Sequence, residues 1–423
     1  MYADCGVLTI DTGAAATQYS VTGLTFTPKV VLLWWAGRPD TSDASGEADI
    51  QSGFGVAVSP TERWAQALCE DHAVATTASF RYHTQDACVA ILDMTGAVVG
   101  VADFTSFNAG GFTLVIDDQF PAALRVSWLA LGGSDLTGVK AGAFQLHATE
   151  TGDHDYTGLT SFTPDFGLFA TSRVATAPPS GAGTYIFSLG VATALAQAVL
   201  SVQSNSGNAT SDTASYCRTG EMFAAVSPST LTCSIRASLT SFLTDGFRIN
   251  TIEGPGANYI FFLALKGGSY EVGNFVTATD TTEFSEGVSF QPKATLFASA
   301  NRAESTADIG TTHIEQSLGA AAANGNQNAQ YVRIKDGSAD SDCFSAIEHD
   351  SMYINGDNSA TQIIEGLGKV NSMSPSQMLL QMTDADPVAS FVWYAAFGGN
   401  VEYVYPEDDV LIRDPKCSEV AAF

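Results

Sequence analysis

The chain has 423 residues and carries 45 acidic side chains against 18 lysines and arginines, a net charge of −27. A surface this acidic repels phosphate backbones and anionic lipid headgroups, so the charge argues against direct binding to nucleic acid or to a membrane. Hydrophobic residues make up 45% of the chain and charged residues only 15%, which excludes an intrinsically disordered protein. The length is ample for several domains of ordinary size.

Three features indicate a protein that is made in a cytoplasm and is not exported. Residues 1–13 include Asp4 and Asp11 and lack the basic start and apolar core of a signal peptide. The longest apolar runs, 30–36 and 259–265, have the length of strands and are too short to span a bilayer. The seven cysteines are widely spaced without a C-x-x-C pair, so we expect buried free thiols and no disulfides.

In chain order, the first predicted elements belong to a motif that occurs three times. Residues 22–28, 157–164 and 286–292 each place a glycine and a phenylalanine ahead of a proline, and the three prolines are roughly 130 residues apart. Proline holds the preceding residue in an extended conformation and cannot donate a ladder hydrogen bond, so it suits the first residue of a strand. The apolar run that follows each proline predicts a strand buried on both faces.

A second landmark closes each repeat. An apolar run with a Gly-Gly pair occurs at 128–133, 262–268 and 393–399, and a proline precedes each run. Because landmarks recur at both ends, we predict three homologous units whose short linkers make neighbouring units pack together. The predicted units span residues 1–136, 137–270 and 271–401, and a short C-terminal arm follows at 402–423.

The strand pattern inside a unit predicts an all-β fold. Short segments of strand composition alternate with small-residue turns, and we count about eight of them per unit. This spacing favours three tandem β-sandwich domains, with the jelly roll as a candidate form and a pseudo-threefold arrangement as a candidate assembly. Segments 61–68 and 192–202 fit either a short helix or a strand. Two sets of residues are predicted at equivalent positions: Gly55, Gly190 and Gly319, and likewise Cys88, Cys217 and Cys343.

No short motif of catalysis or cofactor binding is present in the sequence. The densest polar cluster is Asp153-His154-Asp155 with His147 and Glu150 upstream, a set of residue types that could bind a divalent cation. Alternate residues of a strand face opposite sides, so the two aspartates would share a face that excludes His154. We therefore interpret the cluster as an exposed polar loop and predict no metal site, no cofactor and no catalytic residue.

Three other acidic clusters are interpreted in the same way. Each could supply an acid or a base, but no further catalytic group accompanies them in the sequence. We expect solvated turns at all three. They are Glu70-Asp71-His72, Glu348-His349-Asp350 and Asp117-Asp118.

The candidate contact residues are arginines and aromatic residues. Arg38, Arg173 and Arg302 each follow the predicted buried strand, about nine or ten residues after its proline. Two interpretations stay open for them: a bidentate ion pair within a unit, or a repeated contact between units. Trp34 and Trp35 are neighbours on a strand and must face opposite ways. We expect one of them in a core and the other at an inter-unit or partner contact.

The C-terminal arm adds two further candidate contact residues, Tyr403 and Tyr405. They lie in a segment of strand character that lacks the repeat pattern. Such an arm could add a strand to the sheet edge of a neighbour, or it could be a frayed terminus.

The recurring phrase in which glycine, phenylalanine, proline and lysine lead into an apolar run resembles β-rich virion structural proteins of tailed bacteriophages. It occurs at 23–34 and 287–297, and in a looser form at 158–169. The resemblance implies a capsid decoration protein, or a tail or fibre component, with other virion proteins as partners. The location would be the virion, after assembly in the host cytoplasm. Three units on one chain could act as a single-chain pseudo-trimer at a threefold position, or the chain could form a homo-oligomer.

Two other functions are weighed against this non-enzymatic role. A carbohydrate-binding adhesion module predicts exposed aromatic residues on the loops of every unit, but the loops differ between the units. A polysaccharide depolymerase requires a pair of carboxylates in one unit or between two units. The structural role is the main expectation.

Overall fold

The computed structural model describes residues 1–37, 48–300, 303–305, 310–356 and 363–399. Every regular element in these ranges is a β-strand, so the predicted all-β class is confirmed. Segments 61–68 and 192–202, which fitted a helix or a strand, consist of strands and the turns that join them. No helix that could cross a membrane occurs in the described part of the chain.

Ten strands are described in the first unit. They are β1 (Tyr2–Ile10), β2 (Gln18–Val21), β3 (Pro28–Trp35), β4 (Ile50–Ser59), β5 (Glu62–Glu70), β6 (Ser79–Thr84), β7 (Val89–Leu92), β8 (Val98–Asn108), β9 (Gly111–Asp118) and β10 (Leu124–Gly132). Strands β1, β10, β3, β4, β5 and β6 form the large sheet in that order, and β2, β9, β8 and β7 form the small sheet.

The second unit repeats this arrangement with one added strand. Its strands are β11 (Gly138–Gln145), β12 (Gly152–Tyr156), β13 (Phe166–Thr171), β14 (Ser180–Gly183), β15 (Tyr185–Thr193), β16 (Gln197–Ser204), β17 (Thr213–Thr219), β18 (Phe223–Val226), β19 (Cys233–Leu243), β20 (Gly246–Glu253) and β21 (Tyr259–Lys266). The large sheet has the order β11-β21-β13-β15-β16-β17 and the small sheet β12-β20-β19-β18.

The third unit also repeats the arrangement of the first, again with one added strand. Its strands are β22 (Ser269–Val276), β23 (Phe284–Gly287), β24 (Ala294–Ser299), β25 (Thr311–Thr312), β26 (Ile314–Ala322), β27 (Gln327–Ile334), β28 (Cys343–Glu348), β29 (Tyr353–Gly356), β30 (Ile364–Met373), β31 (Gln377–Asp384) and β32 (Phe391–Gly398). The large sheet is β22-β32-β24-β26-β27-β28 and the small sheet is β23-β31-β30-β29. Apart from β14 and β25, every sheet draws its strands from one unit, and β22 begins at Ser269, two residues before the predicted start of the third unit.

The connectivity combines a jelly-roll feature with two meanders. The first and last strands of a unit pair in the large sheet, as β1 does with β10, and the second pairs with the penultimate in the small sheet, as β2 does with β9. These nested pairs are those of a jelly roll. Between them, β3 to β6 and β7 to β9 pair in sequence order as antiparallel meanders. Each unit is therefore a β-sandwich with nested outer strands.

A hydrophobic core lies between the large and small sheets of each unit, and we call it the sandwich core. That of the first unit contains Trp35, Phe104 and Phe112. The second and third units have their own, built around residues such as Phe247 and Met382. On the strands β8, β19 and β30, buried and partly exposed residues alternate, so one face of each small sheet is open to solvent.

One glycine in each large sheet permits close approach of the chain behind it. A Cβ atom at this position would overlap a backbone carbonyl oxygen, and a backbone atom of a packed sheet cannot move aside. The three contacts are Gly55 with Cys88, Gly190 with Met222 and Gly319 with Met352. Each glycine also lies at the same ladder position of its sheet. The predicted equivalence of the three glycines is confirmed.

The predicted equivalence of the three cysteines is wrong. Cys88 lies just before β7, whereas Cys217 lies inside β17 and Cys343 begins β28. The counterparts of Cys88 are the methionines named above, because the turns between the landmarks differ in length. The six cysteines in the described ranges are buried free thiols, as predicted.

The second face of each large sheet is covered by the other two units. A single cluster of buried residues draws on all three units, and we call it the central core. It includes Trp34, Phe261 and Trp393. The strands β3, β13 and β24 are therefore buried on both faces, which confirms the prediction made from the apolar runs after each proline.

Candidate interface between the units

Three turns, one from each unit, meet in a closed ring of backbone hydrogen bonds. They are the turns β5–β6, β16–β17 and β27–β28, and each exchanges two N–H···O bonds with the next. The partners are Thr77 with Gly207 and Asn208, Ser211 with Gly337 and Ser338, and Ser341 with Ala73 and Val74, at N···O distances of 2.7 to 3.0 Å. Thr77, Ser211 and Ser341 occupy the same place in their turns. The ring therefore has pseudo-threefold symmetry and closes on itself.

The hydroxyls of these three residues repeat the pattern with their side chains. Thr77 Oγ1 donates to the carbonyl of Asn205 (2.7 Å), and Ser211 Oγ donates to that of Lys335 (2.6 Å). Ser341 Oγ donates to the carbonyl of Asp71. Each hydroxyl also accepts a backbone N–H from the next unit. A hydroxyl thus links two backbone groups at every junction, which fixes the three turns relative to each other.

Edge strands join the units a second time. The strand β14 of the second unit pairs with β6 at the edge of the first large sheet, and β25 of the third unit pairs with β17 of the second. Both added strands come from the loop that follows the buried strand. Arg81 of β6 supports the first junction, because its guanidinium donates to the carbonyls of Gly183 and Thr184, the latter at 2.9 Å. These additions cover edges that would otherwise present unpaired N–H and C=O groups.

The first strand of each unit packs across the large sheet of another unit. The strand β1 lies against β26 and β27, β11 lies against β4 and β5, and β22 lies against β15 and β16. The three contacts follow the same cyclic order as the ring of turns. All three types of contact between units therefore agree on one pseudo-threefold arrangement.

The two tryptophans fall on opposite faces of β3, as predicted. Trp35 lies in the sandwich core of the first unit and Trp34 in the central core. From the third unit, Gln330 Nε2 donates to the Trp34 carbonyl (3.1 Å) and to Ser127 Oγ (2.8 Å). The structure thus places Trp34 at a contact between units.

Of the three predicted arginines, only Arg173 lies in the described ranges. It adopts a positive φ of 54° and its backbone N–H donates to Thr171 Oγ1 (2.9 Å). Burial lowers the pKa of Arg173. Burial and, secondarily, the charge of Arg173 lower the pKa of Arg81, a residue at the seam between the first and second units, to about 10. Arg38, Arg302, Tyr403 and Tyr405 lie outside the described residues, as does the arm 402–423.

Sequence reasoning missed a buried acid at the junction of the three units. Glu70 was predicted in a solvated turn, but its side chain is fully buried at the end of β5 on the face toward the central core. Burial raises its pKa to about 8, opposed by the Ser79 and Ser204 hydroxyls. Cys343 Sγ of the third unit donates a hydrogen bond to the backbone carbonyl of Glu70 (3.6 Å). The turn prediction failed because tertiary packing, invisible in the local sequence, covers this side chain.

The predictions for the other two acidic clusters had different outcomes. Glu348 is also buried, so the solvated turn expected there is wrong for this residue. Asp117 and Asp118 are exposed at the end of β9, as predicted.

The interpretation of the cluster as a polar loop is wrong for Asp153, His154 and Asp155, which are part of β12, but the two aspartates share the exposed face of this strand as predicted. Asp153 Oδ1 accepts a hydrogen bond from Thr240 (2.6 Å), and Asp155 forms a bidentate ion pair with Arg248 at 2.6 and 2.8 Å. His154 points to the other face of β12. The structure brings His154 together with His147 and Glu150, which the sequence had placed in the same polar cluster.

Comparison with known proteins gives no family assignment. No protein-family model matches the chain, and no curated protein matches it in sequence. Among solved structures, the chain is similar to one described as "The Triple Jelly Roll Fold and Turret Assembly in an Archaeal Virus", at 7% identity over 94% of this chain and 90% of that chain. The TM-score is 0.12, a level at which the similarity bears on neither the fold nor the function of this chain.

Proposed function

We propose that the chain is a non-enzymatic structural protein of a tailed-phage virion, a single-chain pseudo-trimer that decorates or stabilises the capsid or forms part of the tail. The observation that carries this proposal is the closed ring of three turns, in which Thr77, Ser211 and Ser341 make the same bonds. A ring of this kind presents three similar outer surfaces about one axis. Assemblies pair surfaces of matching symmetry, so such a molecule suits a threefold or quasi-threefold position of a shell.

The division of surfaces supports a role in assembly. Both faces of the large sheets are buried by packing inside the molecule. The open faces of the small sheets therefore remain for contact with partners. The net charge of −27 favours a partner that presents a basic surface. The partners in this proposal are other virion proteins.

The competing binding function has no comparable support. A carbohydrate-binding module predicts exposed aromatic residues on each unit. In the described ranges, Tyr2 is the one aromatic residue among the exposed large hydrophobic side chains, and its ring stacks on Phe26 at 5.9 Å. No observation favours the adhesion module or the depolymerase.

The test of a virion role is the composition of purified particles. Particles released by the phage or prophage whose genome encodes this chain would be purified on a density gradient and analysed by quantitative mass spectrometry, with immunogold labelling. We expect the chain at a fixed ratio to the major capsid protein and gold on the shell or tail. Absence from purified particles, despite its presence in the lysate, would contradict the proposal.

The test of the pseudo-trimer is the mass and shape of the purified chain. Light scattering should give a monomer near 44.2 kDa, and negative-stain images should show three lobes around a centre. An elongated rod, or a stable trimer of chains, would remove the single-chain pseudo-trimer and assign the protein to a tail or a fibre.

A further inference from the structure

We propose that the segment 147–154 of the second unit binds a transition-metal dication such as Zn²⁺, with His147, Glu150 and His154 as its ligands. The potential ligand atoms of the three side chains all lie within 4.8 Å of one another. The two imidazole rings are parallel, with an interplanar angle of 2° and centroids 4.4 Å apart. This proposal is independent of the proposed virion function.

The sheet framework holds both histidines in place. Ahead of His147, the backbone N–H of the buried Leu146 donates to the Asn258 carbonyl (2.9 Å), and the N–H of His147 itself donates to the Tyr156 hydroxyl (3.0 Å). His154 is part of β12 and lies opposite Ile249 of β20 in the ladder. The two histidines are thus anchored from different strands of the unit.

A glycine lets the chain return on itself between the two anchors. Gly152 has a φ of +100°, a conformation that favours glycine, and it directs the loop back so that His154 faces His147. The carbonyl of Glu150 lies 3.2 Å from His154 Nε2. The loop is therefore already folded around the three side chains.

The chemistry of these side chains selects the type of metal. Two imidazole nitrogens and one carboxylate favour Zn²⁺, Cu²⁺ or Ni²⁺, whereas Ca²⁺ and Mg²⁺ prefer sets of oxygen ligands. Ligand atoms on a tetrahedral zinc are about 3.4 Å apart, since each lies about 2.1 Å from the metal. His147 and Glu150 are exposed and can rotate by the small amount required. Three protein ligands leave one position for water or for a group from another molecule.

Neighbouring acids do not compete for the metal. Asp153 and Asp155 are engaged by Thr240 and Arg248 on the other face of β12. The segments between the first and second strands of the other two units contain no histidine. The metal site would therefore distinguish the second unit from the other two.

The proposal is tested by calorimetric titration of the EDTA-treated full chain with Zn²⁺, and by the absorption spectrum of the Co²⁺ form. We expect one Zn²⁺ per chain. The variants His147→Ala, His154→Ala and Glu150→Gln should each bind at least about tenfold more weakly. The matched control Asp153→Asn should bind like the unchanged chain, because this carboxylate faces away from the site. Zn²⁺ should also slow amide hydrogen exchange across residues 147–154.

Two results would overturn the site. The first is an absence of stoichiometric Zn²⁺ binding by the intact chain, and the second is Zn²⁺ binding that persists unchanged in both histidine variants. Circular dichroism would show that the variants are folded, as expected because His147 and Glu150 are exposed and His154 is only partly buried. Substituting Mg²⁺ for Zn²⁺ should abolish the calorimetric signal, and equal binding of Mg²⁺ would contradict the assignment of a histidine site.

Discussion

The sandwich cores and the central core have different structural roles. A sandwich core joins two sheets of one unit and is built mainly from aliphatic and aromatic side chains. The central core adds buried polar bonds that cross between units, such as Trp64 Nε1 to the Phe262 carbonyl (3.0 Å) and Ser52 Oγ to the Tyr185 hydroxyl (2.8 Å). A buried polar group is costly without its partner. The sandwich cores therefore hold each unit together, and the central core specifies how the units fit.

The central core also departs from exact symmetry. At equivalent places in the large sheets, a large side chain lies opposite a small one on the neighbouring strand. In the first unit the large side chain is on the strand after the proline, whereas in the other two units it is on the last strand. The pairs are Trp34 with Ser127, Ala170 with Phe261 and Ala298 with Trp393. Close packing leaves no room for a large residue at every equivalent place. A fused chain permits this sharing of space, whereas three identical units would have to place the same side chain three times.

The largest effect is expected from removing a unit from its neighbours. The segment 137–270 expressed alone would expose the central-core face of its large sheet, so we expect aggregation and no cooperative thermal unfolding. Replacing Phe187 and Leu200, which face the central core, by threonine should improve its solubility. Size-exclusion chromatography and circular dichroism would measure both. A soluble, cooperatively folded monomer without these changes would show that the central core is dispensable.

The next largest effect compares the adjacent tryptophans. Trp34→Ala and Trp35→Ala should each lower the free energy of unfolding by about 3–5 kcal/mol, because each removes a fully buried side chain. The location of the damage should differ. Hydrogen exchange should rise in the turns 205–212 and 335–342 for Trp34→Ala, and in the small sheet of the first unit for Trp35→Ala. Identical exchange patterns would mean that the two cores are not separate.

A smaller effect is expected from the buried acid of the central core. Glu70 has a pKa of about 8 when folded against an ordinary value of 4.5, so between these values the folded chain keeps a proton that the unfolded chain has lost. This group therefore lowers stability as the pH rises through that window, by up to about 1.4 kcal/mol per pH unit. Glu70→Gln should be about 4 kcal/mol more stable than the unchanged chain at pH 8 and similar to it near pH 4.5.

Urea unfolding at the two pH values would measure this difference. The exposed acid Asp117 supplies the control, since Asp117→Asn should change stability little at either pH. A stability difference for Glu70→Gln that does not depend on pH would show that Glu70 is not protonated in the folded chain.

Several features of the fold could be predicted because they depend on local sequence. The proline and apolar run at 22–28 and its two repeats predicted the doubly buried strands, and the period-two geometry of a strand placed Trp34 and Trp35 on opposite faces. Gly55 and its counterparts were found by position in the repeat. The same comparison could have found Thr77, Ser211 and Ser341, but the residues around them differ and turns carry little periodic signal.

The all-β class, the repeated landmarks and the alternation of faces could be predicted from local sequence, because strand geometry and proline act over a few residues. Three further features are visible only in the folded chain: the three large sheets share one core, Glu70 is buried, and His147, Glu150 and His154 lie together. These depend on contacts between residues distant along the chain. No local pattern encodes them, since the side chains that cover or approach a residue come from other strands and other units.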